Sequence, residues 1–436
     1  MTNSSTYKNV SNFENNTIKI QANQKENSDE REQVLLLKST FAREMFPNNF
    51  DTWTIREQFI WINKNLSKFF RNVPETLLGY VPASFHQINF DRSPVQLPKW
   101  MDIDKYRRGQ KFVSENYVAI IMGKLIGLIH IYTFNDGLKP VIIGGHGHTL
   151  DLGYKRYLST FKRILSWYQG DPWIKGTQAY KDMQFTHKLH LLMSEKLRKL
   201  DNEQIDAASK IAEPWCPDRE IFLKDFATAC PFEKFAQFPF TMMSESPYRP
   251  KGINNMDLAS VQAAFVGMFV LRPQDIGVHN ATDEDIEAFC HMWRCYGYFL
   301  GLEDEHNFFR GSFEEIKQRT QDFFQYWITP NFKIITPEWE HMTRCVIVPM
   351  NYYRFIYMPY KAMVLIATDL LDLKMPNLYA SLSYSEWIAY KVYTFILQHA
   401  LKLSIIRKAM NKLAIYILNT AVNYSSEKKP ELKKNQ

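Results

Sequence analysis

Long apolar runs, paired cysteines and charge of one sign are all scarce in this 436-residue sequence. No uncharged run reaches the roughly 18 residues that a membrane-spanning helix needs. The nearest approach, Tyr117–Tyr132, is interrupted by Lys124 and is predicted to be a buried core helix. The five cysteines form no CxxC pair, so zinc ribbons are excluded and free thiols in a reducing compartment are expected. The net charge of +7 is dispersed outside a short basic tail, so no nucleic-acid partner is predicted.

Several catalytic signatures are absent as well. The Gly-rich segment Gly144–Thr149 is predicted to be a loop, and it lacks the Gly-Lys-Ser/Thr ending of a phosphate-binding loop. No Ser-His-Asp or Cys-His arrangement suggests a hydrolase. Alternating strand patterns and internal repeats are also scarce.

Helical periodicity dominates the rest of the sequence and predicts an all-α fold, a large bundle with a disordered N-terminal tail. Residues 1–32 and 425–436 are polar and are predicted to be disordered tails around a single domain at 33–424. Thr282 is the clearest N-cap, followed by three acidic residues in the first turn. The predicted helices include Thr54–Phe70, Arg107–Tyr132, Lys155–Tyr168, Gln178–Leu200, Leu258–Leu271, Phe313–Trp327, Arg354–Leu371 and Trp387–Leu418.

Two neighbouring helices carry polar residues on otherwise apolar stripes. Arg156, Thr160, Ile164 and Trp167 are spaced by four, four and three residues, and the next helix places His187 and His190 in a similar stripe. Neutral imidazole is the commonest protein ligand for metals, and an arginine with hydroxyls opposite would orient a polar ligand. A core histidine bonded to a backbone carbonyl is the competing interpretation.

A second metal hypothesis uses four histidines. His146 and His148 of the Gly-rich loop, together with His187 and His190, have the residue types of a non-haem zinc, iron or copper centre. The competing interpretation makes the loop a solvent-exposed turn.

Four segments in order carry a resemblance to a known family. They are Leu97-Pro98-Lys99-Trp100-Met101-Asp102 (similar to LPxWxD), Arg156-Tyr157-Leu158-Ser159-Thr160 (RLxxT), Met183–His190 (a degraded VRxxHAxVR) and His291–Gly301 (WxxxGxxLG). Over about residues 90–310 the chain resembles the rubber oxygenase (latex clearing protein) superfamily, which also includes an endoplasmic-reticulum oxygenase of mycophenolic acid biosynthesis.

The resemblance implies globin-like helix packing around haem b and an oxygenase, that is, a haem-dependent oxidoreductase. His187 aligns with the proximal iron ligand, so it is the predicted metal ligand, with His190 as a neighbouring partner or the alternative ligand. Arg156, Ser159 and Thr160 are the predicted catalytic, distal-side residues. The substrate is expected to be hydrophobic, isoprenoid or lipid-like, with Phe265, Met268, Phe269, Trp293 and Tyr296 as candidate pocket walls. An intracellular location is predicted, cytoplasmic or peripheral on the endoplasmic-reticulum membrane.

Two departures from the family pattern support an alternative function. Ser159 stands where rubber oxygenases carry a lysine, and Gln184 replaces an arginine, so polyisoprene cleavage itself is not expected. The alternative is a catalytically silent relative that serves as a binding, interaction or membrane-peripheral protein. Residues 387–418 mix lysines with aliphatic and aromatic residues, as interfacial helices do, although a core-packed helix fits the same pattern.

Overall fold

Helices and loops make up the whole of the described part of the chain, residues 29–230, 246–353 and 356–427 of a computed structural model. The predicted all-α fold is confirmed: strand pairing within these ranges is limited to one isolated bridge, between Gln87 and Asn254. The predicted disordered tails lie largely outside the described residues, at 1–28 and 428–436. Residues 29–32, predicted to belong to the first tail, are helical, as are residues 425–427 at the other end.

The described helices range in length from a single turn to several turns. In chain order they are α1 (29–40), α2 (Ile55–Lys64), α3 (Leu66–Phe69), α4 (Glu75–Leu78), α5 (Tyr80–Ala83), α6 (Ile103–Glu115), α7 (Tyr117–Ile131), α8 (Asn135–Ile143), α9 (Leu150–Gln169), α10 (Gln178–Arg198), α11 (Asn202–Ala208), α12 (Arg219–Ala229), α13 (Asn255–Leu271), α14 (Asp283–Phe299), α15 (Phe313–Phe323), α16 (Thr329–Asn331), α17 (Pro337–Ile347), α18 (Tyr360–Asp369), α19 (Pro376–Ala380), α20 (Tyr384–Gln398) and α21 (Ser404–Glu427). Short 3-10 turns occur at Arg43–Met45, Phe50–Thr52, Asp304–His306, Phe332–Ile334, Val348–Tyr352 and Ala400–Lys402, with a π-helical turn at Phe324–Ile328.

The centre of the fold is formed by α7 and α13, which are apolar on every side. Such helices are stable only when surrounded by protein, and nearly every side chain of both is buried. Gly127 lets them approach closely, since a Cβ there would lie 2.5 Å from the backbone oxygen of Ala264. Gly109 does the same for α6 and α14, where a Cβ would lie 2.6 Å from the oxygen of Ala288. One continuous apolar core results, extending along the chain from Val34 to Ala421.

Local signals explain the ends of α14. Thr282 caps it as predicted: its backbone N–H donates to the carboxylate of Asp285 at 2.9 Å, in a capping box. Gly301 follows the helix at φ +97°, a conformation that favours glycine. Its carbonyl accepts a hydrogen bond from the backbone N–H of Asn89 at 2.7 Å, which ties the 89–92 segment to the end of α14.

Predicted helix boundaries differ from the structure in several places, and the helix predicted over Thr54–Phe70 is divided at Asn65 into α2 and α3. The helix predicted over Trp387–Leu418 is two helices, α20 and α21, separated at His399–Leu403. The one predicted from Arg354 begins only at Tyr360, and residues 354–355 lie outside the described ranges. The helix predicted over Phe313–Trp327 keeps its length but changes to a π-helical turn after Phe323.

The described helices were also compared with the dimensions of a bilayer. None of them alone is long and apolar enough to cross a membrane. The consecutive pair α6 and α7 reaches the required length and composition together, with a bend of 93° between the two.

Candidate functional site

A cavity of about 1060 Å³ lies between α7, α9, α10, α13 and α14, and we call it the central cavity. Its volume is at the top of the range of roughly 300–1,000 Å³ typical of cofactor and ligand sites. Much of its wall is apolar, contributed by Leu128, Ile131, Phe161, Ile164, Trp167, Val261, Phe265, Trp293 and Tyr296. A large ligand with little polar surface fits such a wall.

The outer wall of the cavity is the thinly packed helix α10. Of its 21 residues only Ala179, Met183, Ser194 and Leu197 are buried. Phe185 and Leu189 border the cavity and are nevertheless 46% and 43% exposed. Exposed apolar side chains beside the cavity indicate that a single layer of protein, α10, separates the cavity from solvent at this wall.

The three predicted distal residues come together on the cavity wall. Arg156, Ser159 and Thr160 all line it from α9, whose N-cap is Thr149. The Arg156 guanidinium donates to the carbonyl of Val141 at 3.1 Å, and the Thr160 hydroxyl donates to the carbonyl of Arg156 at 3.0 Å. No acidic side chain in the described ranges pairs with Arg156 within salt-bridge distance, so its charge is available to a ligand.

His190, and not His187, lies on the same cavity wall. His190 retains accessible surface because it borders the cavity, yet its Nδ1 is shielded from solvent and has no hydrogen-bond partner. Burial lowers its pKa to about 4, helped by the nearby His187 and Arg156, so the ring is neutral. A neutral imidazole beside a cavity is in the state that binds metals.

His187, the predicted iron ligand, lies to one side. It is not among the lining residues: its ring contacts Phe90 at 5.6 Å, and it bonds to the backbone of Asn89. Three residues along a helix turn the side chain by about 300°, so two histidines at this spacing point about 60° apart. That rotation is enough to give one of them to the cavity and the other to the 89–92 segment.

The four-histidine centre is not formed. His146 lines the cavity, whereas the backbone carbonyl of His148 accepts a hydrogen bond from Nε2 of His341 at 2.8 Å. No group of three or more His, Cys, Asp or Glu side chains placed to hold a metal ion occurs within residues 29–230, 246–353 and 356–427. The non-haem hypothesis is therefore wrong for these residues.

A buried lysine on the cavity wall was not predicted as a site residue. Lys124 of α7 is only 2% exposed, and its Nζ lies 3.7 Å from the ring centre of Trp293 and 4.7 Å from that of Phe265. Burial holds the pKa of this amine well below its ordinary value. The one sequence signal was its position as a single charge inside an apolar helix.

Charged residues form a rim at another part of the cavity. Lys139 pairs with Asp136 at 2.6 Å and with Asp206 at 2.9 Å, and Arg249 shares Asp206 at 3.0 Å. Nearby, burial raises the pKa of Asp257 to about 7. The charges of the rim are therefore mostly paired with one another, whereas Lys124 has no carboxylate partner in the described residues.

Comparisons with known proteins add no relative. No protein-family model matches the chain, and neither the curated proteins nor the solved structures contain a significant match.

The segments that carry the resemblance have separate structural roles. The first and the last pack on each other: the backbone N–H of Asp102 donates to Nε2 of His291 at 3.1 Å, and Arg294 lies over the ring of Trp100 at 3.9 Å. The middle two face the cavity through Arg156 and His190. Among the predicted pocket walls, Phe265, Trp293 and Tyr296 line the cavity, while Met268 and Phe269 belong to the core.

Proposed function

We propose that the protein is a haem-dependent, oxygenase-like protein whose central cavity binds haem b and a hydrophobic, isoprenoid or lipid-like substrate. The observation that carries this proposal is the meeting of Arg156, Ser159 and Thr160 with His190 on one cavity wall. These four residues come from two successive helices, α9 and α10, and they supply an imidazole, a guanidinium and two hydroxyls to a cavity whose wall is largely apolar. Residues of those types suit a haem and the polar groups around it.

The donor set fits the cofactor. His190 is the residue that would hold the iron, because its neutral ring borders the cavity and its Nδ1 lacks a partner. We prefer it to His187, whose ring is engaged with Phe90 and the backbone of Asn89. Arg156 would bind a haem propionate or a polar ligand atom through N–H groups that Val141 leaves free. When bound, the haem supplies the oxygen-activating chemistry that no side chain here provides.

The remaining walls position the substrate. Trp293, Phe265 and Tyr296 present rings to the cavity and exclude water from an apolar ligand. Tyr296 is itself fixed, since its hydroxyl donates to the carbonyl of Trp167 at 2.9 Å. A rigid aromatic wall favours one orientation of a long hydrophobic molecule.

Haem binding and the choice of ligand are tested together by absorption spectroscopy. The full chain and its His190→Ala and His187→Ala variants are expressed with a haem precursor and purified, and absorbance between roughly 400 and 420 nm is normalised to protein. We expect the haem band in the parent and in His187→Ala, and its loss in His190→Ala with helical circular dichroism unchanged. A colourless parent that also refuses added haemin would favour the catalytically silent alternative. Full haem content in His190→Ala would overturn the ligand assignment.

A second candidate function, peripheral attachment to a membrane, is supported by the outer face of α20 and α21. Five large apolar side chains of α20 are exposed and lie within one helical stripe: Tyr384, Trp387, Ile388, Val392 and Phe395. In α21, Ile405, Leu413 and Tyr416 repeat the pattern, and Ile405 is 84% exposed. Lys391, Lys408 and Lys412 are interspersed, as in helices that lie on anionic lipid.

Sedimentation with phosphatidylserine-containing vesicles tests this candidate. Deleting the helices would remove core residues such as Leu401, so point variants are preferable. We expect Phe395→Ser with Ile405→Ser to reduce the bound fraction severalfold. The control is Leu192→Ser on α10, at an apolar side chain that is 51% exposed; this variant should bind the vesicles as the parent does. Equal binding by all three proteins would remove this candidate.

A further inference from the structure

Lys124 is the least expected side chain in the core. It lies in the middle of α7, a helix that is apolar on every side, and its side chain is only 2% exposed. Lysine almost never occupies such a position without a partner, because transferring an ammonium group from water into an apolar interior is strongly unfavourable.

No carboxylate compensates this lysine. In the described part of the chain its Nζ forms no ion pair, and its hydrogen bond is a long one, 3.4 Å, to the carbonyl of Phe265. Its other contacts are with aromatic rings, among them Tyr168 and Phe289 at 5.9 Å each. Three other lysines line the cavity in the described residues: Lys139 pairs with two aspartates, Lys155 pairs with Asp151 at 2.7 Å, and Nζ of Lys251 donates to the carbonyl of Leu200 at 3.0 Å.

The aromatic rings around Nζ divide into two groups. Phe265 and Trp293 also line the central cavity, whereas Tyr168 and Phe289 belong to the core behind it. The amine is thus closed off on the core side and borders the cavity beside two rings that a flat or long apolar ligand would contact. Among the lysines that line this cavity in the described residues, Lys124 is the one with neither a carboxylate partner nor a short hydrogen bond.

We infer that Nζ of Lys124 is a nucleophile that forms an imine with the aldehyde or ketone group of an apolar ligand in the central cavity. The nitrogen lone pair attacks the carbonyl carbon and the C–N bond forms. The carbonyl oxygen then leaves as water, taking both amine protons, and the C=N bond remains. The reaction needs no oxidant or reductant, so this inference goes beyond the proposed function and requires neither haem nor oxygen.

Reductive trapping tests the inference on the full purified chain. The protein is incubated at neutral pH with benzaldehyde and sodium cyanoborohydride, which converts an imine into a stable secondary amine, and the modified lysines are mapped by peptide mass spectrometry. An ordinary lysine at neutral pH is deprotonated in only about one molecule in a thousand, and burial lowers the pKa of Lys124, so its amine starts with an advantage. We expect modification of Lys124 to exceed that of Lys139 by about tenfold or more.

Two variants sharpen the result. Lys124→Met keeps an unbranched apolar chain and should remove the dominant adduct, whereas Lys139→Met should leave it in place. Labelling of surface lysines with none at Lys124 would overturn the inference, as would a dominant adduct that survives in Lys124→Met. If Lys124→Met does not fold, the mapping on the parent protein still decides, because it identifies the modified residue directly.

Discussion

Asp257 shows how a single carboxylate can serve local structure and still oppose folding. Its backbone N–H donates to the side chain of Asn254 at 2.9 Å, and its carboxylate accepts the backbone N–H of Asn254 at 3.0 Å, which closes the capping box of α13. Burial nevertheless raises its pKa to about 7. The folded protein therefore keeps a proton on Asp257 over a pH range in which the unfolded chain has lost it.

Replacing Asp257 with asparagine should stabilise the protein, and increasingly so with pH. An aspartate with a raised folded pKa makes stability fall as the pH rises from about 4 to about 7. Asp257→Asn keeps an acceptor for the cap and lacks this dependence. We expect the free energy of unfolding of the variant, relative to the parent, to rise by about 1–4 kcal/mol between pH 4 and pH 7. Urea unfolding at both pH values measures it, and a constant difference would contradict the assigned cause.

At the residue scale, the sequence predicted three of the side chains that line the cavity but not which of two histidines does so. Arg156, Ser159 and Thr160 line the cavity. His190 lines it as well, whereas His187 packs against Phe90. Both histidines lie on one broad helical stripe, and only the packing of α10 on its neighbours decides between them. Lys124 was visible only as a charge in an apolar run, because its lack of a partner is a tertiary property.

The close contact between α7 and α13 depends on Gly127, and a methyl group there should separate the two helices. A Cβ at Gly127 would meet the oxygen of Ala264 at 2.5 Å and a ring carbon of Phe265 at 3.1 Å. We expect Gly127→Ala to lower the free energy of unfolding by about 1–3 kcal/mol, as overpacked cores do.

The matched control for Gly127 lies in α8. A Cβ at Gly137 would meet only the Cβ of Phe134, at an ordinary 3.7 Å. Gly137→Ala should therefore leave stability unchanged or raise it by up to about 1 kcal/mol, since alanine is the better helix former. Equal urea midpoints for the two variants would show that the helix contact is less tight than the structure indicates.

At the element scale, the sequence identified helices well where capping residues or glycine marked an end, as at Thr282 and Gly301. The break between α20 and α21 carries neither glycine nor proline. One partner comes from elsewhere in the fold, since Nε2 of His279 donates to the carbonyl of Leu397 at 2.7 Å, and a second, the Arg407 guanidinium of α21, donates to that of Leu401 at 2.9 Å. A partner such as His279, supplied from outside the segment, cannot be read from the pattern of residues 387–418.

Across the whole molecule, four buried histidines share one electrostatic state. Burial lowers the pKa of His130, His190, His291 and His306 to about 4 each. Two of them have hydrogen bonds that fit the neutral ring: Nε2 of His130 donates to the carbonyl of Ala367 at 2.9 Å, and Nε2 of His291 accepts the N–H of Asp102. Protonation of His291 would replace that acceptor with a second donor.

This shared state should make the fold sensitive to mild acid. A histidine whose folded pKa is lowered contributes stability that is fully present above the unfolded value near 6.5 and is lost as the pH falls towards 4. At pH 5 each of the four contributes a loss of about 2 kcal/mol, which proton uptake by Asp257 offsets in part. The net loss of several kcal/mol is a large part of an ordinary total stability of about 5–15 kcal/mol.

The urea midpoint should therefore drop clearly between pH 7 and pH 5, and His130→Gln, which retains a donor for Ala367, should show a smaller drop. A midpoint that is equal or higher at pH 5 would mean that these rings reach solvent protons without unfolding.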